Sequence, residues 1–247
     1  MPEAIPLVVT VAAVFIGSVL ASAVGFGIGM VGMPIILLVL APQTAVIMVN
    51  TMALGLEAGI LSRSWKHVRV RSTLPLVLAG LAGAPIGVFI LANVSAGRLR
   101  IGISSLIILL ALVLVFSSRR DFRVPVSQIL GPILAFSVGV MGPALGVGGP
   151  LIAILLLARN WNKQEVRANL VFCFIGIDAV SFLGYAASGL FTLERVVLIL
   201  FAIPAMLLGL KVGSALLTRM NEQLFRRVTM AIIISTSLLV LGREVIS

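Results

Sequence analysis

Gly25-Phe26-Gly27-Ile28-Gly29-Met30-Val31-Gly32-Met33-Pro34 interrupts an apolar run that otherwise extends from residue 5 to residue 41. Glycine lets the backbone turn without a Cβ clash, and a helix restarting after such a turn begins with N–H groups that have no intrahelical acceptor. A start of that kind offers donors to an anion. A second stretch, Gly142-Pro143-Ala144-Leu145-Gly146-Val147-Gly148-Gly149-Pro150, has the same character, and Pro150 suits the first turn of a helix. Close helix packing through small residues is the alternative use of such glycines. It does not explain the prolines or the short apolar segments that follow.

The surroundings of both stretches are those of a membrane protein. Of 247 residues, 60% are hydrophobic and 11% charged, with a mean hydropathy of +1.23, against about 25% charged in soluble domains. Apolar segments fall at 5–24, 29–41, 44–62, 72–93 and 97–117, and again at 126–142, 147–158, 167–188, 195–217 and 226–242. Most approach the ~20 residues that cross a hydrocarbon core of about 30 Å. The second segment of each set has only 12 or 13 residues. Each short segment therefore forms either a re-entrant hairpin with its predecessor or half of a broken helix. The expected fold is an all-α polytopic membrane protein.

The two sets are related. Gly27 and Gly29 fall on Gly146 and Gly148 at an offset of 119, and the same offset puts Asn50 on Asn169. Further on, Gly83 and Gly87 match Gly209 and Gly213 at an offset of 126. The chain thus divides into a first transmembrane repeat, 1–122, and a second, 123–247.

Loop charge sets the orientation. If each paired segment enters and leaves on one face, the loops at 63–71, 117–123, 158–167 and 218–227 share a side and carry 13 basic residues, against four (Arg98, Arg100, Arg195, Arg243) on the other. By the positive-inside rule the first group is cytoplasmic and both termini are periplasmic. The basic loop at 63–71 then corresponds to the poorly charged loop at 188–195 on the opposite face, so the repeats are inverted. Inverted repeats with discontinuous helices are a recurring design of secondary transporters, with the substrate near the midplane. The net charge of +10 is explained by loop placement and does not point to nucleic acid. Met1-Pro2-Glu3 gives no basic leader, so no signal peptide is expected.

Polar residues inside apolar segments are the candidates for function. Asn50 and Asn169 each either donate to a bound oxyanion or staple the neighbouring break. Glu57, Asp178 and Lys211 are ionisable groups at membrane depth, candidates for coupling or charge pairing. Lys211 and Glu57 lie near enough to helix ends to snorkel, whereas Asp178 is closer to mid-membrane. Cys173, the single cysteine, reads as packing, and His67 beside Trp65 reads as interfacial. No nucleophile with a base, nucleotide-binding loop or cluster of metal ligands is recognisable, so neither an enzyme nor an ATP-driven pump is expected, and no cofactor.

Two glycine-rich breaks, Gly25 to Gly29 and Gly146 to Gly149, each heading a half of about 120 residues, resemble the sulfite exporter TauE/SafE family over essentially the whole chain. Ile28 and Val147 interrupt a full triple glycine in both copies. The resemblance implies export of sulfite, sulfoacetate or a related organosulfonate across the bacterial inner membrane. On that reading Gly25, Phe26, Gly27, Gly29, Asn50, Gly146, Gly148, Gly149 and Asn169 bind a small anion. The bilayer is the other partner, and a homo-oligomer is left open. The competing expectations are a transporter of another solute or metal cation, lined by carboxylates, and a non-transporting membrane scaffold.

Overall fold

The structure, a computed structural model, describes residues 4–118, 130–159 and 161–221, with single positions beyond them as far as 231. The basic cluster at 119–123 and the apolar segment at 226–242 lie outside the described residues, apart from those single positions.

The described residues are helical, with no strand among them. Helix α1 covers Ala4–Val24. After the first break a π-helical turn at Ile28–Gly32 runs into a short helix, α2, at Met33–Ile36. Helix α3 spans Pro42–Ser64, with Ala41 extended before it and proline in its first turn. A 3-10 turn at Trp65–His67 leads to α4, Val70–Asn93, and then α5, Ala96–Ser118. Helix α6 is Leu130–Leu145 and, after the second break, α7 is Gly149–Leu157. Helix α8 is Lys163–Ala187, started by a capping box between Asn162 and Glu165. Helix α9, Leu193–Arg219, starts at Thr192, whose hydroxyl accepts from the Arg195 N–H. Pro75, Pro85, Pro143 and Pro204 sit inside helices, as membrane helices tolerate where neighbours re-satisfy the backbone. Five of these stretches are long and apolar enough to cross a membrane: Ile5–Val24, Pro42–His67, Val70–Asn93, Lys163–Ala187 and Leu193–Arg219.

Both short segments fold back on their predecessors. A Cβ on Gly17 would lie 3.0 Å from the Ile28 Cα and one on Gly32 would lie 3.6 Å from the Ala13 carbonyl. Rising numbers on one strand of the hairpin meet falling numbers on the other. In the second pair Gly148 faces the Val138 side chain and Gly131 faces Leu155. Each pair is therefore a hairpin that returns toward the end it came from, and the alternative of a broken helix crossing once does not fit the contacts.

Two tight crossings join the halves. A Cβ on Gly209 would lie 2.9 Å from the Phe15 carbonyl, and one on Gly213 would run into the Val19 carbonyl, so α9 packs along α1 in the same direction. Likewise a Cβ on Gly83 would lie 2.5 Å from the Phe136 carbonyl and one on Gly87 would run into that of Val140, so α4 packs along α6 in the same direction. Only residues without side chains allow backbones this close.

Loops that the charge pattern grouped together are in contact at one end. Arg69 pairs with Glu165 at 2.7 Å, Arg159 Nη1 donates to the Ser72 carbonyl, and Lys163 Nζ donates to the Met220 carbonyl. The guanidiniums of Arg69 and Arg159 both lie over Trp161, at 5.4 Å and 4.8 Å. At the opposite end Arg195 Nη2 donates to Gln43 Oε1 at 2.7 Å, and Gln43 Nε2 donates to the Leu91 carbonyl. The first hairpin starts and finishes at this second end, the other hairpin at the basic end.

Candidate functional site

The breaks meet. Gly25 and Gly27 adopt φ of 97° and 145°, and Gly146 adopts 69°, values that L side chains strain to reach. A Cβ on Gly29 would run into the Gly146 carbonyl, and one on Gly149 would lie 2.8 Å from the Phe26 ring. Neither restarting helix has a side-chain cap, so its first N–H groups are left for backbone, water or ligand. The π-helical turn at Ile28–Gly32 is itself a deviation common at functional sites.

Between the breaks lies a cavity of about 60 Å³, room for a few waters or one small ion rather than a large organic molecule. Its walls are Phe26, Gly27, Ile28, Gly29 and Met30 from the first break, and Gly142 and Gly146 to Gly149 from the second, with Val138 between. Helix α3 contributes Val49, Asn50, Ala53 and Glu57; α8 contributes Phe174, Ile177 and Asp178. The polar side chains are thus one amide and two carboxyls.

The carboxyls come from different halves and line the same cavity, close enough to interact. Both residues are 7% exposed, and Glu57 Oε2 has no hydrogen-bond partner among the described residues. Glu57 is buried at the cavity rather than snorkelling.

Asn50 is already engaged. Its Nδ2 donates to the Gly142 carbonyl at 3.0 Å and to the Tyr185 hydroxyl at 2.8 Å, and Tyr185 Oη in turn donates to the Pro143 carbonyl at 2.6 Å. In this conformation the Asn50 amide ties α3 and α8 to the last turn of α6, just ahead of the second break.

Three of the residues singled out from the sequence lie elsewhere. Gly25 packs against the backbone of Arg167 and does not line the cavity. Asn169 accepts from Arg69 N–H and Thr73 Oγ1 and donates to the carbonyls of His67 and Glu165, anchoring the 65–73 turn. Lys211 is exposed on α9, and the one ion pair among the described residues is Arg69–Glu165. Cys173 is buried. His67 is half-buried in the turn after α3, where Trp65 packs edge-on against Phe172 at 5.7 Å.

Tyr185 was not singled out in the sequence. The available signal was that it is the only tyrosine, placed in an apolar segment, where a hydroxyl needs a partner. Arg167 was read as a loop charge but is 7% exposed.

The described residues form an all-helical, multi-pass architecture in which two glycine hairpins close on a small internal cavity, the architecture of a polytopic membrane protein. The family model described as Sulfite exporter TauE/SafE matches residues 9–240, and the chain belongs to that family, one of transporters of sulfite and organosulfonate type. No curated protein and no solved structure matches the chain.

Proposed function

We propose that this protein exports a small sulfur oxyanion, sulfite or a compact organosulfonate, from the bacterial cytoplasm by alternating access between halves 1–122 and 123–247 arranged as inverted repeats. The observation that carries the reading is the meeting of Gly29 with the Gly146 carbonyl: both uncapped helix starts face one ion-sized cavity, and backbone N–H groups there suit an anion. The opposite directions of the two hairpins, the shared basic end and the paired crossings of α1 with α9 and α6 with α4 support the inversion. The size of the cavity favours sulfite over sulfoacetate in this conformation.

A membrane potential negative inside favours outward anion movement by about 2.3 kcal/mol per elementary charge per 100 mV, so uniport is sufficient energetically. The carboxyl pair adds a condition. An anion beside Glu57 and Asp178 is repelled unless protons neutralise them, which links loading to proton occupancy.

A second reading, transport of a cation, is favoured by the same carboxyls, which would bind it when ionised. Counter-flow in proteoliposomes with sulfite, sulfoacetate and a divalent cation separates the two. The anion reading requires exchange of labelled sulfite; exchange of the cation alone would replace it.

A further inference from the structure

Arg167 is a buried cation with no counter-ion among the described residues. It is 7% exposed; Nη2 donates to Ser214 Oγ on α9 at 3.2 Å, and Nε has no partner among the described residues. Among the described residues, the charged group that acts on it is another cation, Arg63, near the end of α3. The nearest carboxylate in sequence, Glu165, two residues earlier on α8, is taken by Arg69 in the only ion pair among the described residues. A buried unpaired charge costs several kcal/mol, and two guanidiniums approaching each other raise that cost. An oxyanion is the ligand that relieves both, because the fork of donors on arginine matches its geometry.

The position is on the route to the cavity. Arg167 is seven residues before Phe174 and 11 before Asp178, close to two and three full turns, so all three share one face of α8, with Arg167 about 16 Å from Asp178 along the axis. Phe174 and Asp178 line the cavity. On the other side, the Arg167 backbone abuts Gly25, the residue before Phe26 of the cavity wall.

We propose that Arg167, with Arg63, forms an oxyanion-binding site at the basic end of the protein that receives the anion before it enters the cavity. The identity of that anion as a sulfur oxyanion rests on the export reading; the site itself does not. The same chemistry is offered by the phosphate of an anionic lipid, and the experiment must distinguish the two.

The full chain is purified in neutral detergent, and its thermal unfolding midpoint is followed with sulfite or sulfate against chloride, for wild type, Arg167→Met, Arg167→Lys and Arg63→Gln. The site predicts that sulfite stabilises the wild type, that Arg167→Met is at least as stable as wild type without oxyanion, and that it gains nothing from sulfite. Arg167→Lys retains part of the shift, and Arg63→Gln weakens sulfite binding several-fold. In oriented proteoliposomes Arg167→Met raises half-saturating sulfite at the basic face at least tenfold and leaves the other face unchanged. An Arg167→Met protein with a wild-type sulfite shift, or equal losses at both faces, overturns the proposal. So does stabilisation by phosphatidylglycerol vesicles that depends on Arg167 while sulfite has no effect. If Arg167→Met does not fold, the partial shift and raised half-saturation of Arg167→Lys decide. If wild type moves no sulfite yet shows the Arg167-dependent shift, the export reading fails and the site stands.

Discussion

Gly29 stands directly against the carbonyl oxygen of Gly146, with no space between them for a single methyl group. The contact joins the restarting helix of one hairpin to the turn of the other, so the backbone itself is the wall of the cavity. Gly29→Ala must push the breaks apart or break the hairpin. Sulfite export is expected to fall at least tenfold, with thermal stability lowered by about 1–3 kcal/mol, typical of overpacking. Gly97→Ala is the control: nothing lies within 4 Å of its Cβ position on α5, and removal of glycine from a helix favours stability by about 0.5–1 kcal/mol. A Gly29→Ala protein as active as Gly97→Ala would remove the apposed breaks from the mechanism.

The breaks were legible because glycine and proline punctuate apolar helices strongly, and the pairing of loops was legible because charge is excluded from the bilayer. What joins the halves was not. Glu57 and Asp178 are 121 residues apart, and only the crossing of α3 with α8 brings their carboxyls together. Asn50 and Asn169, matched by their spacing, have diverged: one faces the cavity and the other holds a loop. Sequence period tells which residues share a helix face but not which face meets which helix. For the same reason Arg167 passed as a loop charge, although α8 begins at Lys163 and carries it inward.

Glu57 and Asp178 test the proton condition. If the anion loads only when the carboxyls are neutral, wild-type export slows as pH rises on the loading face. Glu57→Gln and Asp178→Asn keep the shape and remove the charge, so each is expected to flatten that dependence while retaining turnover. The measurement is initial sulfite efflux from proteoliposomes across pH, with an entrapped pH dye for proton movement. Unchanged pH dependence in both variants would assign the pair to structure alone.

Tyr185 and Asn50 form a connected unit with the carbonyls of Gly142 and Pro143. Tyr185→Phe leaves the Pro143 carbonyl without that donor and removes one acceptor from Asn50. A buried polar group left unsatisfied costs about 1–3 kcal/mol, read as a lower thermal midpoint. Because the Asn50 side chain also lines the cavity, Asn50→Leu is expected to lose transport as well as stability, whereas Asn169→Leu loses stability and keeps the sulfite half-saturation of wild type. Equal effects of the two asparagine variants on half-saturation would mean that the cavity wall is not where specificity lies.

The last prediction concerns the crossings. Gly83 and Gly87 of α4 meet Phe136 and Val140, and Gly209 and Gly213 of α9 meet Phe15 and Val19. Each contact on α6 is 121 residues beyond its counterpart on α1, so one packing solution occurs twice. In both, a glycine four residues from another clears a strip on which a hairpin helix lies against a helix of the other half. If transport rocks one half against the other, both crossings lie between the moving parts and must slide together, and damage to either should be equivalent. Gly87→Ile and Gly213→Ile are therefore expected to abolish export to a similar degree, with similar losses of folded protein in detergent. A cysteine pair placed across one crossing tests the motion separately: a cross-link that leaves export intact means that α1 with α9, or α4 with α6, moves as a unit. One that blocks export places the sliding surface at that crossing, and would require the halves to part where the glycines now hold them closest.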